Sequence, residues 1–256
     1  MKRILVPTDF SEQAENALKV AAQLAKKNKS EIYVLNSLEL PTHLSSSGDN
    51  SAMPESLFFI KLAEKYFEEL LKKPYLDGIL IHEAIIGHAE VYKDVNEVVK
   101  ERNIDLVIMG SQGNNGFMEF FIGSNTEKVV RTSKIPVLVI KNNHEDFKTD
   151  NFVYATDFSN ECKAPFNQAI KFAEETNTHI KLLYINTPSD FKTTKEINAK
   201  IKSFLKDIGD SNFSVHIYND ISIEKGILNF ASETNAHLIG MGTHGRRGLA
   251  HFLMVV

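Results

Sequence analysis

Four glycines and a Ser-Asn pair follow an apolar run in residues 106–125, LVIMGSQGNNGFMEFFIGSN. Leu106 to Met109 reads as a buried strand that ends at Gly110, with Gly113, Gly116 and Gly123 beyond it. Ser124 and Asn125 then open a helix-like segment, SNTEKVVRTS. A strand running into glycines and then a helix start is an arrangement that holds phosphate. The glycines let the backbone approach an anion, and the free N–H groups and positive end of the helix dipole bind it. A shorter version recurs at residues 238–248, LIGMGTHGRRG. His244, Arg246 and Arg247 lie within it and could touch an anion, or simply be solvated.

Other chemistries lack their residues. There is no Gly-x4-Gly-Lys-Ser/Thr loop, no carboxylate pair at metal spacing and no nucleophile elbow. The nine histidines show neither His-x3-His nor His-Glu-x2-His spacing, so no metal site is expected. A single cysteine, Cys162, excludes an intramolecular disulfide and fits a reducing compartment. It falls in the first turn of an expected helix, where a dipole can lower a thiol pKa. Its counterpart in the repeat described below is Ala14, so a half-buried small residue is the plainer reading. A net charge of −4 and a sequence pI near 6.2 give no basic field for nucleic acid. With 43% hydrophobic and 24% charged residues the composition is that of a soluble globular protein. No transmembrane run or signal peptide is read, and a cytoplasmic location is expected.

The elements that must carry the glycine stretch alternate between two periods. Residues 3–8 read as a strand ending at Asp9, and Ser11 can cap the helix that follows, with Leu18, Ala21, Ala22, Leu24 and Ala25 as its apolar stripe. A strand at 32–38 precedes a Ser/Pro/Gly-rich loop at 41–56. The spacing predicts a helix over 57–72 with Phe58, Leu62, Tyr66 and Leu70 on one face. A strand at 79–86, a helix marked by Val91, Val95, Val98 and Val99, the glycine stretch, and a strand at 136–141 complete the series. Strands alternating with helices indicate parallel β-α-β units.

The pattern then restarts. Thr8-Asp9-Phe10-Ser11 recurs as Thr156-Asp157-Phe158-Ser159, 148 positions on, and this register holds without a gap for some thirty residues. At the glycine loops the offset is 132 positions, from Gly113 to Gly245, so the second copy is 16 residues shorter in between. The Ser-rich loop is the natural place for the difference. Two homologous domains are expected, 1–142 and 151–256, with 143–150 as linker. The second has a helix around 193–208, a strand at 213–218, a helix at 222–234 and the strand HLIGM. It carries no counterpart of Gly123-Ser124 or of the helix and strand behind them; Val255 and Val256 stand where the motif has Gly and Ser. Valine has no side-chain donor and disfavours positive φ.

Gly110-x2-Gly113-x9-Gly123-Ser124 and Pro7-Thr8-Asp9 resemble the motifs of the ATP-binding universal stress proteins, and the resemblance covers nearly the whole chain as a tandem of two domains. It implies an α/β fold of two open parallel Rossmann-like sheets, strand order 3-2-1-4-5, the second lacking its last helix and strand. Ligand would sit where the strand order reverses, between strands one and four. By resemblance, Asp9 and the backbone around Pro7 and Thr8 would contact adenine or ribose. Ser37 would offer backbone to adenine, Met109 to Gly113 would cradle ribose and phosphates, and Gly123, Ser124 and Asn125 would hold the phosphates. Asp157, Ile185, Met241, Gly242 and Gly245 are the weaker matches in the second copy. The plain alternative for Asp9 and Asp157 is a helix-start acid. The implied ligand is ATP, with AMP or ADP and accompanying Mg as variants, in a stress-response binding protein with slow hydrolysis or none. A nucleotide-free scaffold and an adenylating enzyme are the other classes; the latter needs a Ser-Gly-Gly-x-Asp-Ser-like loop that Pro-Thr-Asp-Phe-Ser replaces. By resemblance, fifth strands pair across a dimer axis, internally in tandem chains; only the first copy here has that strand, so Pro136–Lys141 is expected to pair with the same strand of a second molecule as a homodimer.

Overall fold

The computed structural model describes residues 1–38, 52–86, 90–111, 123–209, 212–244 and 250–255. The chain divides into two compact units, 1–132 with 139–146, and 133–138 with 147–256. Each starts from the same local chemistry.

In the first unit, β1 (Arg3–Pro7) runs into α1 (Glu12–Asn28), and β2 (Glu31–Ser37) follows. Ile4, Leu5 and Val6 are wholly buried, as an apolar run covered on both faces must be. Ser11 caps α1, its hydroxyl accepting from the Ala14 N–H at 3.3 Å. The expected stripe from Leu18 to Ala25 is the buried face of α1. Next come α2 (Ala52–Leu70), β3 (Ile81–Ile86), α3 (Val91–Arg102), β4 (Leu106–Gly110) and α4 (Ser124–Thr132). β5 (Val137–Ile140) spans the divide between the units. The strand order is 3-2-1-4-5, with β2 and β4 on either side of β1. Strand order therefore reverses at β1 and β4, which opens a crevice at their carboxyl ends.

Helix α2 differs from its sequence reading in two ways. It begins at Ala52, inside the expected loop, with Pro54 in its first turn, where a missing N–H costs nothing. Its buried face is Ala63, Phe67 and Leu70, while Phe58 and Tyr66 of the expected stripe are 62% and 42% exposed. Phe10 packs on this helix, its ring 5.2 Å edge-on from the buried Phe67 and 5.1 Å from the exposed Tyr66.

The second unit repeats the plan with β6 (Asn151–Ala155), α5 (Lys163–Thr176), β7 (His179–Asn186), α6 (Thr194–Leu205), β8 (Phe213–Asn219), α7 (Ile223–Glu233) and β9 (Leu238–His244). Four strands run parallel in the order β8-β7-β6-β9. Beyond β9 there is no parallel fifth strand and no helix among the described residues. Instead β10 (Ala250–Val255) turns back and pairs antiparallel with β9, from Ala250 opposite His244 to Val255 opposite Ile239. Where the first unit breaks off its strand at Gly110, the second runs straight on through Gly242 to His244.

Candidate nucleotide crevice

The repeated Thr-Asp-Phe-Ser segment is a turn of the same geometry in both units. In the first, the Phe10 N–H donates to the Thr8 hydroxyl at 2.9 Å and the Ser11 N–H to the Asp9 carboxylate at 3.0 Å. In the second, the corresponding distances are 3.1 and 2.9 Å. Phe10 and Phe158 both take left-handed backbone, φ 62° and 59°. Holding a phenylalanine there is costly, and the two side-chain acceptors offset it. The aspartate thus shapes the entry to a helix in each unit, whether or not a glycine loop faces it.

A crevice of about 140 Å³ opens at the carboxyl ends of β1 and β4 in the first unit. Its walls bring together Pro7, Thr8, Asp9, Ser37, Met109, Gly110, Gly123, Ser124 and Asn125. Gly113 lies outside the described residues. The lining also includes residues that sequence reasoning missed: Gln13 and Ala14 from the first turn of α1, Leu35, Val91 and Thr126. Thr126 carried a signal, its place at the third position of a helix that starts after Gly123. It is buried, and its hydroxyl donates to the Gly110 carbonyl at 3.1 Å, tying the start of α4 to the end of β4.

One end of the crevice is built for an anion. The Gly123 carbonyl accepts from the Glu127 N–H, so Gly123 is the flanking residue that opens α4, and Ser124 and Asn125 stand exposed on its first turn. The leading N–H groups of a helix have no partner within it, and the dipole there is positive. The opposite end is apolar, made by Leu35 and Val91 with Ser37 between them. Leu35 gives its carbonyl to the Thr8 N–H at 2.8 Å, and Leu38 turns its amide to Ile86 of β3 at 2.7 Å. By strand alternation, Ser37 directs its own backbone to the β1 side, just past Pro7, the last residue of β1 in register with β2.

Gly110 is needed for packing before any ligand. A Cβ on it would lie 2.4 Å from the carbonyl oxygen and 2.6 Å from the carbonyl carbon of Gln13. The bare backbone lets α1 close onto β4, and that contact forms the floor of the crevice.

The second unit is assembled differently. Met241 pairs with Ala155 on one side and with Leu253 of β10 on the other. Gly242 lies opposite Phe252, and a Cβ there would make only ordinary contacts, 3.6 Å from the Cys162 sulfur and from Pro165. Ile185 is buried against Gly226. Asp157 accepts from the Cys162 thiol at 3.3 Å as well as from Ser159. Burial pushes its carboxyl up, but these hydrogen bonds outweigh that and hold it below the usual carboxylate range. Gly245 lies outside the described residues. Cys162 sits in a short 3-10 turn ahead of α5, and burial, helped by the Asp157 charge, raises its thiol pKa. Burial, and to a lesser degree the Asp157 charge, oppose the lowering that a helix start can give, in line with the plainer reading of Cys162 as a small packed residue.

This is the arrangement of an α/β plan built twice, with a crevice at the sheet switch point of the first unit. The family model described as "Universal stress protein family" matches residues 1–141 and again 148–255, and the chain belongs to that family. Universal stress protein MJ0577 of Methanocaldococcus jannaschii is 33% identical over 159 residues, covering 94% of that protein and 55% of this chain. Universal stress protein YxiE of Bacillus subtilis is 27% identical over 153 residues, covering 98% of it and 54% of this chain. Both shares are in keeping with one domain of a tandem. The crystal structure of a universal stress protein from Archaeoglobus fulgidus covers 99% of this chain and 97% of its own, with a TM-score of 0.72 at 22% identity, which makes it a likeness of fold. No helix among the described residues is long and apolar enough to cross a membrane.

Proposed function

We propose that this chain is a nucleotide-binding universal stress protein that holds ATP in the crevice of its first domain, as a regulatory or structural ligand. The observation that supports this is the convergence of Pro7–Asp9, Ser37, Met109–Gly110 and Gly123–Asn125, four separate stretches, on one crevice with an anion-binding end and an apolar end. AMP or ADP would use the same groups with fewer phosphate contacts. Accompanying Mg would rest on the phosphates and on the oxygens of Ser124, Asn125 and Asp9, hard donors of the kind Mg takes. The described residues hold no cluster of three or more His, Cys, Asp or Glu side chains.

Hydrolysis is slow or absent in this reading. Asp9 is the one carboxylate of the described lining, and one of its oxygens already accepts from Ser11. Among the described lining residues no second group stands by to orient water on a γ-phosphate, which positioned groups must do. The second domain binds weakly or not at all, because the backbone from Met241 to His244 is spent on pairing with β10. We take the domains as 1–142 and 151–256, and the location as cytoplasmic.

Calorimetric titration of the purified chain with ATP tests the reading. One site per chain is expected. Ser124→Glu puts a negative charge where the phosphates would sit while suiting the helix start, so it should abolish binding and leave the melting temperature unchanged or raised. No heat of binding in the wild-type chain would leave the nucleotide-free scaffold as the better reading.

A further inference from the structure

Helix α2 carries an apolar face that its own domain does not bury. The core side is Ala63, Phe67 and Leu70, while Leu57, Phe58, Phe59 and Tyr66 are exposed. Of the nine exposed large apolar side chains among the described residues, four therefore lie on this one helix. Phe58, the half-buried Leu62 and Tyr66 follow at every fourth position, so they form a single row about 12 Å long. The repeat supplies a control. Helix α6 holds the same place in the plan of the second unit, and none of the exposed large apolar side chains belongs to it; its Ile197 and Phe204 are buried. The domain plan thus does not require the row, and a contiguous apolar surface of this kind marks an interaction site.

The row leads into an acidic groove. A space of about 360 Å³ opens between α1 and α2, with Tyr66 and Glu69 from one helix and Glu15 and Leu18 from the other. Asp9 and Phe10 line it too, and the Phe10 ring lies 5.1 Å from that of Tyr66. The charged groups of the lining are Asp9, Glu15 and Glu69 against Lys73, a net charge of −2. Lys73 is 3.4 Å from Glu15. Asp9 and Glu69 are exposed, and the lining holds no second cation for them.

We propose that this face of the first domain docks a basic amphipathic helix of a partner protein. Apolar residues of that helix, at helical spacing, pack on Phe58, Leu62 and Tyr66, since rows of this spacing on two helices interdigitate. A Lys or Arg one turn further on enters the groove, where Glu69 lies one turn beyond Tyr66 on the same helix. There it meets the acid surplus, and the Tyr66 ring offers a face to the cation. A second copy of the same face would set like charge against like, so a basic partner is the fitting occupant. Docking here needs no bound nucleotide.

The test uses a labelled peptide of about four helical turns, built of leucine and lysine with the leucines along one face. Its fluorescence anisotropy is followed as the full chain is added, beside the same peptide with glutamate for lysine. The lysine peptide is expected to bind, and the glutamate peptide about ten-fold more weakly. Phe58→Ala and Tyr66→Ala should each weaken the lysine peptide about ten-fold, the loss of an aromatic anchor. Glu69→Lys should weaken it too and narrow the gap between the two peptides. Ile221→Ala removes an exposed apolar side chain of the second unit and should change nothing. Thermal melting of each variant checks that the fold is kept. No binding of the lysine peptide, equal binding of both peptides, or an equal loss from Ile221→Ala overturns the proposal. A doubled chain mass that Phe58→Ala abolishes would make the occupant a second copy and overturn it as well.

Discussion

A side chain on Gly110 would run into the backbone of Gln13, with its Cβ 2.4 Å from the carbonyl oxygen. Real Cβ atoms do not come that close to backbone, so the first turn of α1 would have to move. Gly110→Ala is expected to cost about 1–3 kcal/mol, the range for overpacking a close contact, and to weaken ATP binding by displacing the Gln13–Ala14 floor. Gly242→Ala, with its nearest neighbours at 3.6 Å, should change stability by less than about 0.5 kcal/mol. Denaturant melts of the two variants side by side make the comparison. Equal losses would mean that Gly110 is not the closer approach.

The twin turns separate structure from ligand contact at the aspartates. Asp9→Ala and Asp157→Ala each remove the acceptor of a Ser N–H, so each should cost on the order of 1 kcal/mol. Only Asp9→Ala should also lower ATP affinity. Asp9→Asn keeps an acceptor for Ser11 and should restore most of the stability. If it restores the ATP affinity too, Asp9 serves the site by shape and not by charge.

Asp157 also predicts acid behaviour. Its carboxyl is held below the ordinary range by hydrogen bonds from Ser159 and Cys162. A depressed carboxyl stabilises the fold above its unfolded pKa, and that contribution is lost as pH falls through the folded value. Asp157→Asn should therefore flatten the stability profile below about pH 4 relative to the wild type. An unchanged acid limb counts against the linkage.

Cys162 should be a poor nucleophile. It is 5% exposed and its thiol pKa is raised by burial and by the Asp157 charge. Thiolate is the reacting form, so native protein should react slowly with a disulfide reagent at pH 8 and at the normal rate once unfolded. Fast labelling of native protein would mean that the helix start prevails over burial at this thiol.

Self-association through Pro136–Lys141 is read by mass. Light scattering over rising concentration should show a species twice the 28.8 kDa chain. A constant chain mass at the highest concentration ends that proposal.

What was legible in the sequence was whatever repeats or punctuates. The glycines, Ser11 and the duplicated Thr-Asp-Phe-Ser fixed strand ends and helix starts to within a few residues, because their reasons are local. The apolar face of α2 was not legible. Its sequence offers Phe58-Leu62-Tyr66-Leu70, of which Leu70 is buried, but Ala63 and Phe67 are buried in place of Phe58 and Tyr66, and no periodic signal separates the two choices. The pairing of Ser37 with Asp94 spans 57 positions and leaves no periodic trace. The return of the chain in β10 was not legible either: AHFLMV can make a strand, but the first copy of the repeat has no antiparallel strand at that point to call for one.

That last strand has a consequence for the order of folding. In the first unit, the neighbour beyond β4 is reached only after α4 has formed and crossed over, from Gly110 to Val137. In the second, β9 meets β10 across residues 245–249 alone. Short loops close far sooner than long crossovers, and hairpins form within microseconds. The second unit can therefore protect the edge of its fourth strand early, while the first leaves the same edge bare until that crossover is made.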